Sequence, residues 1–199
     1  MGYNFNTKIM KKILLLLACA GLFGVSCSKK TTPKTEDVEV FMPCSGNEFM
    51  TNDKYLRASA TGLGGDINIA KKKALANASS ELATSMNQLV ERVVVNYVNS
   101  YQVGENEDGA QKFEDMAKIV VKEKLSGVRV ICEKTMKTPE GKYRVHIAIE
   151  LAGDELLQGI NNRASKELKD NTKLRIDYDY EKFKKEFEAE MKKLEEQNK

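Results

Sequence analysis

The chain has no tryptophan, one histidine and three prolines among its 199 residues. With His146 alone, a histidine-built metal centre is excluded, since such sites draw on about four convergent ligands. No GxxxxGK[ST] string is present, which excludes the common nucleotide-binding loop. No apolar run reaches the ~20 residues of a membrane-spanning helix. The longest, Ile13 to Val25, matches instead the central region of a secretory signal. From Asp66 to Val103 there is neither glycine nor proline, so nothing in that stretch interrupts a helix.

What is there begins at the N-terminus. Lys8, Lys11 and Lys12 precede the apolar run, and Gly24-Val25-Ser26-Cys27 follows it. This arrangement resembles the lipobox of bacterial lipoproteins, which implies cleavage before Cys27 and acyl chains on its thiol and new amino group. Leu16-Leu17-Ala18-Cys19 also fits that pattern, but cutting there leaves too short an apolar core, so Cys27 is preferred. Two or three acyl chains bury many methylenes at about 0.8 kcal/mol each, enough for stable anchoring. Residues 1–26 contain no acidic side chain, so the whole formal charge of +3 leaves with them. A neutral mature chain gives no reason to expect nucleic acid as a partner. Residues 27–37 read as a flexible tether without apolar side chains to bury.

Two cysteines remain, Cys44 and Cys132, in a compartment that permits disulfides. Cys132 lies in an expected strand and Cys44 just after another, so they form either a disulfide or two buried thiols.

The body of the chain predicts an α+β fold. Tyr55 to Thr61 reads as a strand, broken by Gly62-Leu63-Gly64-Gly65, and Asp66 is placed to cap a helix. Ala70, Ala74, Ala78, Leu82, Met86, Leu89, Val93 and Tyr97 recur at steps of three and four, the stripe of one long helix face. A second helix is expected over Ala110 to Leu125. Val128 to Lys137 and Lys142 to Ala152 alternate apolar and polar residues around Pro139-Glu140-Gly141, the pattern of a hairpin with one face covered by helices. A weaker helix spans Gly153 to Glu167. The expected sheet is antiparallel with about three to four strands, covered by the alanine-striped helix and the second helix. A C-terminal amphipathic helix follows, with Tyr180, Phe183, Phe187, Met191 and Leu194 as its apolar stripe. That stripe either packs back on the domain or forms a face for a partner. The expected organisation is a signal at 1–26, a tether at 27–37, a domain at 38–166 and a helical extension at 167–199.

Few side chains suggest chemistry. Gly62 to Asp66, between strand and helix, invites an anion-site reading, since helix N-termini bind anions. Yet Ile67 stands where GxGxxG needs its third glycine, and Asp66 would repel phosphate. His146 shares its side of the strand with Arg144 and Glu150, on the expected polar face, with no nucleophile to serve. No catalytic residue, cofactor site or metal site is expected.

Tyr55-Leu-Arg-Ala-Ser-Ala-Thr-Gly, Gly65-Asp66, the alanines at 70, 74 and 78 and Leu82-Ala83 together resemble the LPP20 lipoprotein family. Leu125-Ser126-Gly127-Val128 and Gly141-Lys142-Tyr143 are similar to its later segments. The resemblance covers roughly Tyr55 to Leu151 and implies a cell-envelope α+β module without catalytic residues to carry over. The whole chain also resembles lipoproteins of Bacteroides-type bacteria. Ser28-Lys29-Lys30 lacks the acidic run that marks surface export there, which favours the periplasmic side of the outer membrane. The function expected is therefore that of a lipid-anchored, non-enzymatic interaction or assembly module. Its expected contacts are the membrane through Cys27 and a protein partner or a second copy. The alternative is a periplasmic small-ligand or anion binder, or a weak enzyme, using the Gly62 to Asp66 turn.

Overall fold

The computed structural model describes residues 40–100, 107–169 and 178–198. The expected signal, Cys27 and the tether lie outside them. Three strands and four helices, with two short 3-10 turns at Asn47–Phe49 and Leu125–Gly127, make up the described elements. They are β1 (Tyr55–Gly64), α1 (Ile67–Ser100), α2 (Glu107–Lys124), β2 (Arg129–Lys137), β3 (Tyr143–Ala152), α3 (Gly153–Lys169) and α4 (Tyr180–Gln197). The sheet is antiparallel in the order β1-β3-β2, so the last strand of the hairpin is central. This is the α+β architecture expected, with three strands.

α1 holds 34 residues, about 50 Å at 1.5 Å per residue. Asp66 starts it: its Oδ1 accepts from the N–H groups of Asn68 at 2.8 Å and Ile69 at 3.0 Å. Ala70, Ala74, Ala78, Leu82, Met86, Leu89, Val93 and Tyr97 are all buried, as their spacing predicts. The small side chains serve a close approach. A Cβ added to Gly62 would lie 2.2 Å from the Ala70 carbonyl oxygen and 2.4 Å from the Ala74 nitrogen. Because both obstacles are backbone, Gly62→Ala should cost about 3 kcal/mol, the upper part of the overpacking range. Urea unfolding reads this directly, and an unchanged midpoint would show that the two elements are not so tightly seated.

β3 carries more burial than its alternation suggests. Val145, Ile147, Ile149 and Leu151 belong to the hydrophobic core formed with the helices. His146, Ala148 and Glu150, on the expected polar face, are buried as well. The cause is the segment that precedes β1. It is bonded to β2 through Cys44–Cys132, with S–S 2.06 Å, and to β1 through Thr51, whose Oγ1 accepts from the Arg57 N–H at 2.9 Å and donates to its carbonyl at 3.2 Å.

The register also departs from simple alternation. Val130 pairs with Ile149, but Cys132 pairs with Ala148, so the ladder slips between them. This bulge places Cys132 on the face where Cys44 lies, whereas strict alternation would put Val130 and Cys132 on the same face.

Of the two readings of the C-terminal stripe, α4 takes the first and packs back on the domain. Phe183, Phe187 and Met191 are buried in the common core, while Tyr180 and Leu194 are half-buried against it. The compact unit therefore continues through this helix rather than ending near residue 166. Phe183 meets Tyr97, Phe113 and Tyr178 with ring centroids 5.5, 5.3 and 5.9 Å away. Asp179 caps the helix, accepting from the Lys182 N–H at 3.2 Å. An aromatic stripe has more to gain from neighbouring rings than from water.

Candidate functional site

The polar face of the sheet gathers the side chains with the most chemical potential. Glu150 accepts from Arg57 Nε at 3.0 Å and from Arg129 Nη2 at 2.6 Å. Arg57 also donates to the Met50 carbonyl at 3.2 Å and stacks over the Tyr55 ring at 5.1 Å. The carboxylate is thus held by a guanidinium from each outer strand. Such a clamp orients residues but leaves no free carboxylate for acid–base work.

Beside it, His146 Nδ1 lies 2.9 Å from Thr61 Oγ1. Burial, with Arg144 adding to it, holds the imidazole below its ordinary pKa. The neutral ring is therefore the folded form. Cys44 Sγ sits 3.7 Å from the His146 carbonyl oxygen, but its sulfur is committed to the disulfide. Among the described residues, the constellation has a histidine and a hydroxyl, with no carboxylate bonded to the ring. The side-chain contact joins β1 to β3, where Thr61 and His146 are cross-strand partners. The unfolded chain binds more protons than the folded one between the lowered folded pKa and the ordinary value near 6.5. Stability is therefore complete above that value and falls as pH drops through the window. A His146→Asn variant should lose that part of the pH dependence when urea midpoints near pH 7.5 and 5 are compared with those of the parent. An identical slope in both proteins would contradict it.

The Gly62 to Asp66 turn is engaged with its own helix. The amides of Asn68 and Ile69 are satisfied by Asp66 itself, and Gly62 and Gly64 face the α1 backbone rather than a cavity. Next to this turn, an open cleft of about 440 Å³ is lined by Met42, Pro43, Ser59, Thr61, Asn77 and Glu81, among others. Asn77 Nδ2 donates to the Thr61 carbonyl across it at 3.1 Å. Among the described residues no group of three His, Cys, Asp or Glu side chains could hold a metal ion.

A second buried carboxylate escaped the sequence reading. Glu190, on α4, receives Arg92 Nε at 3.2 Å, Asn96 Nδ2 at 3.0 Å and Lys193 Nζ at 2.5 Å. It fastens α4 to α1 beside the apolar stripe. Its place seven residues after Phe183 was the available signal, because that spacing returns to the same helix face.

The remaining surface feature is β2. Glu133, Lys134, Thr135, Met136 and Lys137 are all exposed, and no described strand pairs with the outer edge. Val130 and Met136 are exposed apolar residues on the same strand. Lys71 reaches Glu133 at 2.9 Å, an exposed pair of little energetic weight. Among the described residues no helix is long and apolar enough to cross a membrane.

No family model, no curated protein and no solved structure matches this chain. The resemblance to the LPP20 family thus rests on the residues quoted for it.

Proposed function

We propose that the protein is a lipid-anchored cell-envelope module that binds other protein through the outer edge of β2, without catalysing a reaction. The observation that carries this reading is the exposed strand edge, which no described strand pairs, since edges are where chains add partners. The C-terminal stripe is taken up by the core through Phe183, Phe187 and Met191. Anchoring through acyl chains on Cys27, on the periplasmic side of the outer membrane, is the part supplied by the N-terminal sequence. It would hold the module near a membrane. The polar constellations favour this over an enzyme, because Glu150, Glu190 and Asp66 are each engaged in holding the fold together. The alternative of a small-ligand or anion binder at Gly62 to Asp66 is weakened because Asp66 itself takes the amides of Asn68 and Ile69.

A photo-crosslinker placed at Met136 in intact cells tests the reading. Capture of protein through that position, absent when the same group replaces exposed Ile119 on α2, is the expected outcome. Equal capture from both positions, or from neither, would remove the case for an edge-directed module.

A further inference from the structure

The backbone of β2 carries a more specific message, which rests on the interaction-module reading and names the partner. Arg57 spends its N–H and C=O on Thr51, and Tyr55 spends its own on Asn52. The odd-numbered residues of β1 therefore point away from β3. In an antiparallel ladder, the residues opposite them turn their backbone groups the other way. Those residues are Arg144, His146, Ala148 and Glu150, which face β2. Their partners Met136, Lys134 and Cys132 accordingly bond inward. Glu133, Thr135 and Lys137 are left with N–H and C=O groups directed at the open edge. Beyond the bulge this stretch has a regular register.

We propose that two copies of this chain pair through β2, antiparallel and two-fold symmetric, with Thr135 opposite Thr135 of the second copy. A two-fold axis normal to the sheet must pass midway between two copies of one residue, in a hydrogen-bonded or a non-hydrogen-bonded pair. Centring on Lys134 sets lysines face to face, and centring on Met136 brings Pro139 opposite Glu133, so fewer outward backbone groups are paired. Centring on Glu133 sets like charges face to face, and centring on Lys137 does the same while bringing Pro139, which has no N–H, opposite Thr135. Centring on Thr135 sets Glu133 of each copy against Lys137 of the other. Both ends of the pairing are then charge-complementary, and every outward backbone group of the stretch finds a partner. The sheet continues from one copy into the next. The charges on this edge, which blunt pairing with arbitrary strands, select this register.

The test is sedimentation of the purified full chain as a function of concentration. The parent forms a reversible dimer. Glu133→Lys and Lys137→Glu each set like charges opposite at both ends and weaken dimerisation by about tenfold, from cross-strand pair energies of up to ~1 kcal/mol. Combining them restores the dimer, because the charges exchange places. That rescue cannot come from Lys71, whose contact with Glu133 is lost in the combined variant too. Thr135→Pro deletes an outward N–H that bonds nothing in β3, so it abolishes dimerisation while the thermal transition, read at a dilution where the parent is monomeric, stays in place. A parent that is monomeric throughout, or a combined variant that fails to recover, overturns the self-pairing. If such a monomer is still captured through Met136 by another envelope protein, the interaction-module reading survives and only the choice of partner fails. If Met136 captures nothing, both fail.

Discussion

Phe183→Ala should destabilise the protein by about 4 kcal/mol, within the 3–5 kcal/mol range for truncating a buried phenylalanine. Phe183 is fully buried and touches three other rings drawn from α1, α2 and the segment just before α4. Tyr97 and Phe113 are themselves buried and Tyr178 is half-buried, so collapse into the vacated volume would have to move several elements at once. The loss therefore combines transfer and cavity terms with the aromatic contacts. Chemical denaturation reads it as a lower midpoint with an unchanged slope. A loss below about 1 kcal/mol, typical of an exposed site, would mean that α4 does not dock as described. The same experiment separates a core stripe from a partner stripe. A partner face would lose binding on truncation and keep its stability.

Opening the Cys44–Cys132 bond should cost a comparable amount. The two cysteines are 88 positions apart, and chain-entropy reasoning assigns about 4.6 kcal/mol to a loop of that length. The structural consequence should be localised. The cover segment would keep its Thr51–Arg57 and Asn52–Tyr55 bonds but lose its attachment to β2. Solvent would then gain access to His146 and Glu150. A Cys44→Ala/Cys132→Ala variant should unfold at markedly lower urea concentration than the oxidised parent. It should also exchange the backbone amides around His146 faster. A variant as stable as the parent would show that the segment is held by its other bonds alone.

Much of this architecture was legible because burial writes periodicity into sequence. The alanine and leucine steps of α1 mark a face that meets a sheet closely, and Gly62 confirms how closely. The hairpin was legible because β2 and β3 are separated by a proline-glycine turn, with Gly141 in the left-handed region at φ 79°. Three features were not legible, each for a physical reason. The bulge at Val130 and Cys132 is made without glycine, so alternation alone gives Cys132 the wrong face. The second buried face of β3 is covered by an irregular segment with little apolar periodicity, held by a covalent bond and side-chain hydrogen bonds. An amphipathic stripe such as Phe183-Phe187-Met191 states that a helix is covered, but the covering partner has no signature in the helix itself. The candidate edge was partly legible: the hairpin implied outer strands, but the order β1-β3-β2, which leaves β2 outside, depends on long-range pairing.

The most direct measurement is residue-resolved amide hydrogen exchange along β2, in dilute full chain and again at high concentration. The account predicts alternation when dilute, with the amides of Lys134 and Met136 protected by β3 and those of Glu133, Thr135 and Lys137 exchanging freely. On concentration the second set should become protected as well. Protection of Glu133, Thr135 and Lys137 in the dilute chain equal to that of their neighbours would mean the edge is already covered, and would contradict the claim that β2 is the open contact surface of this fold.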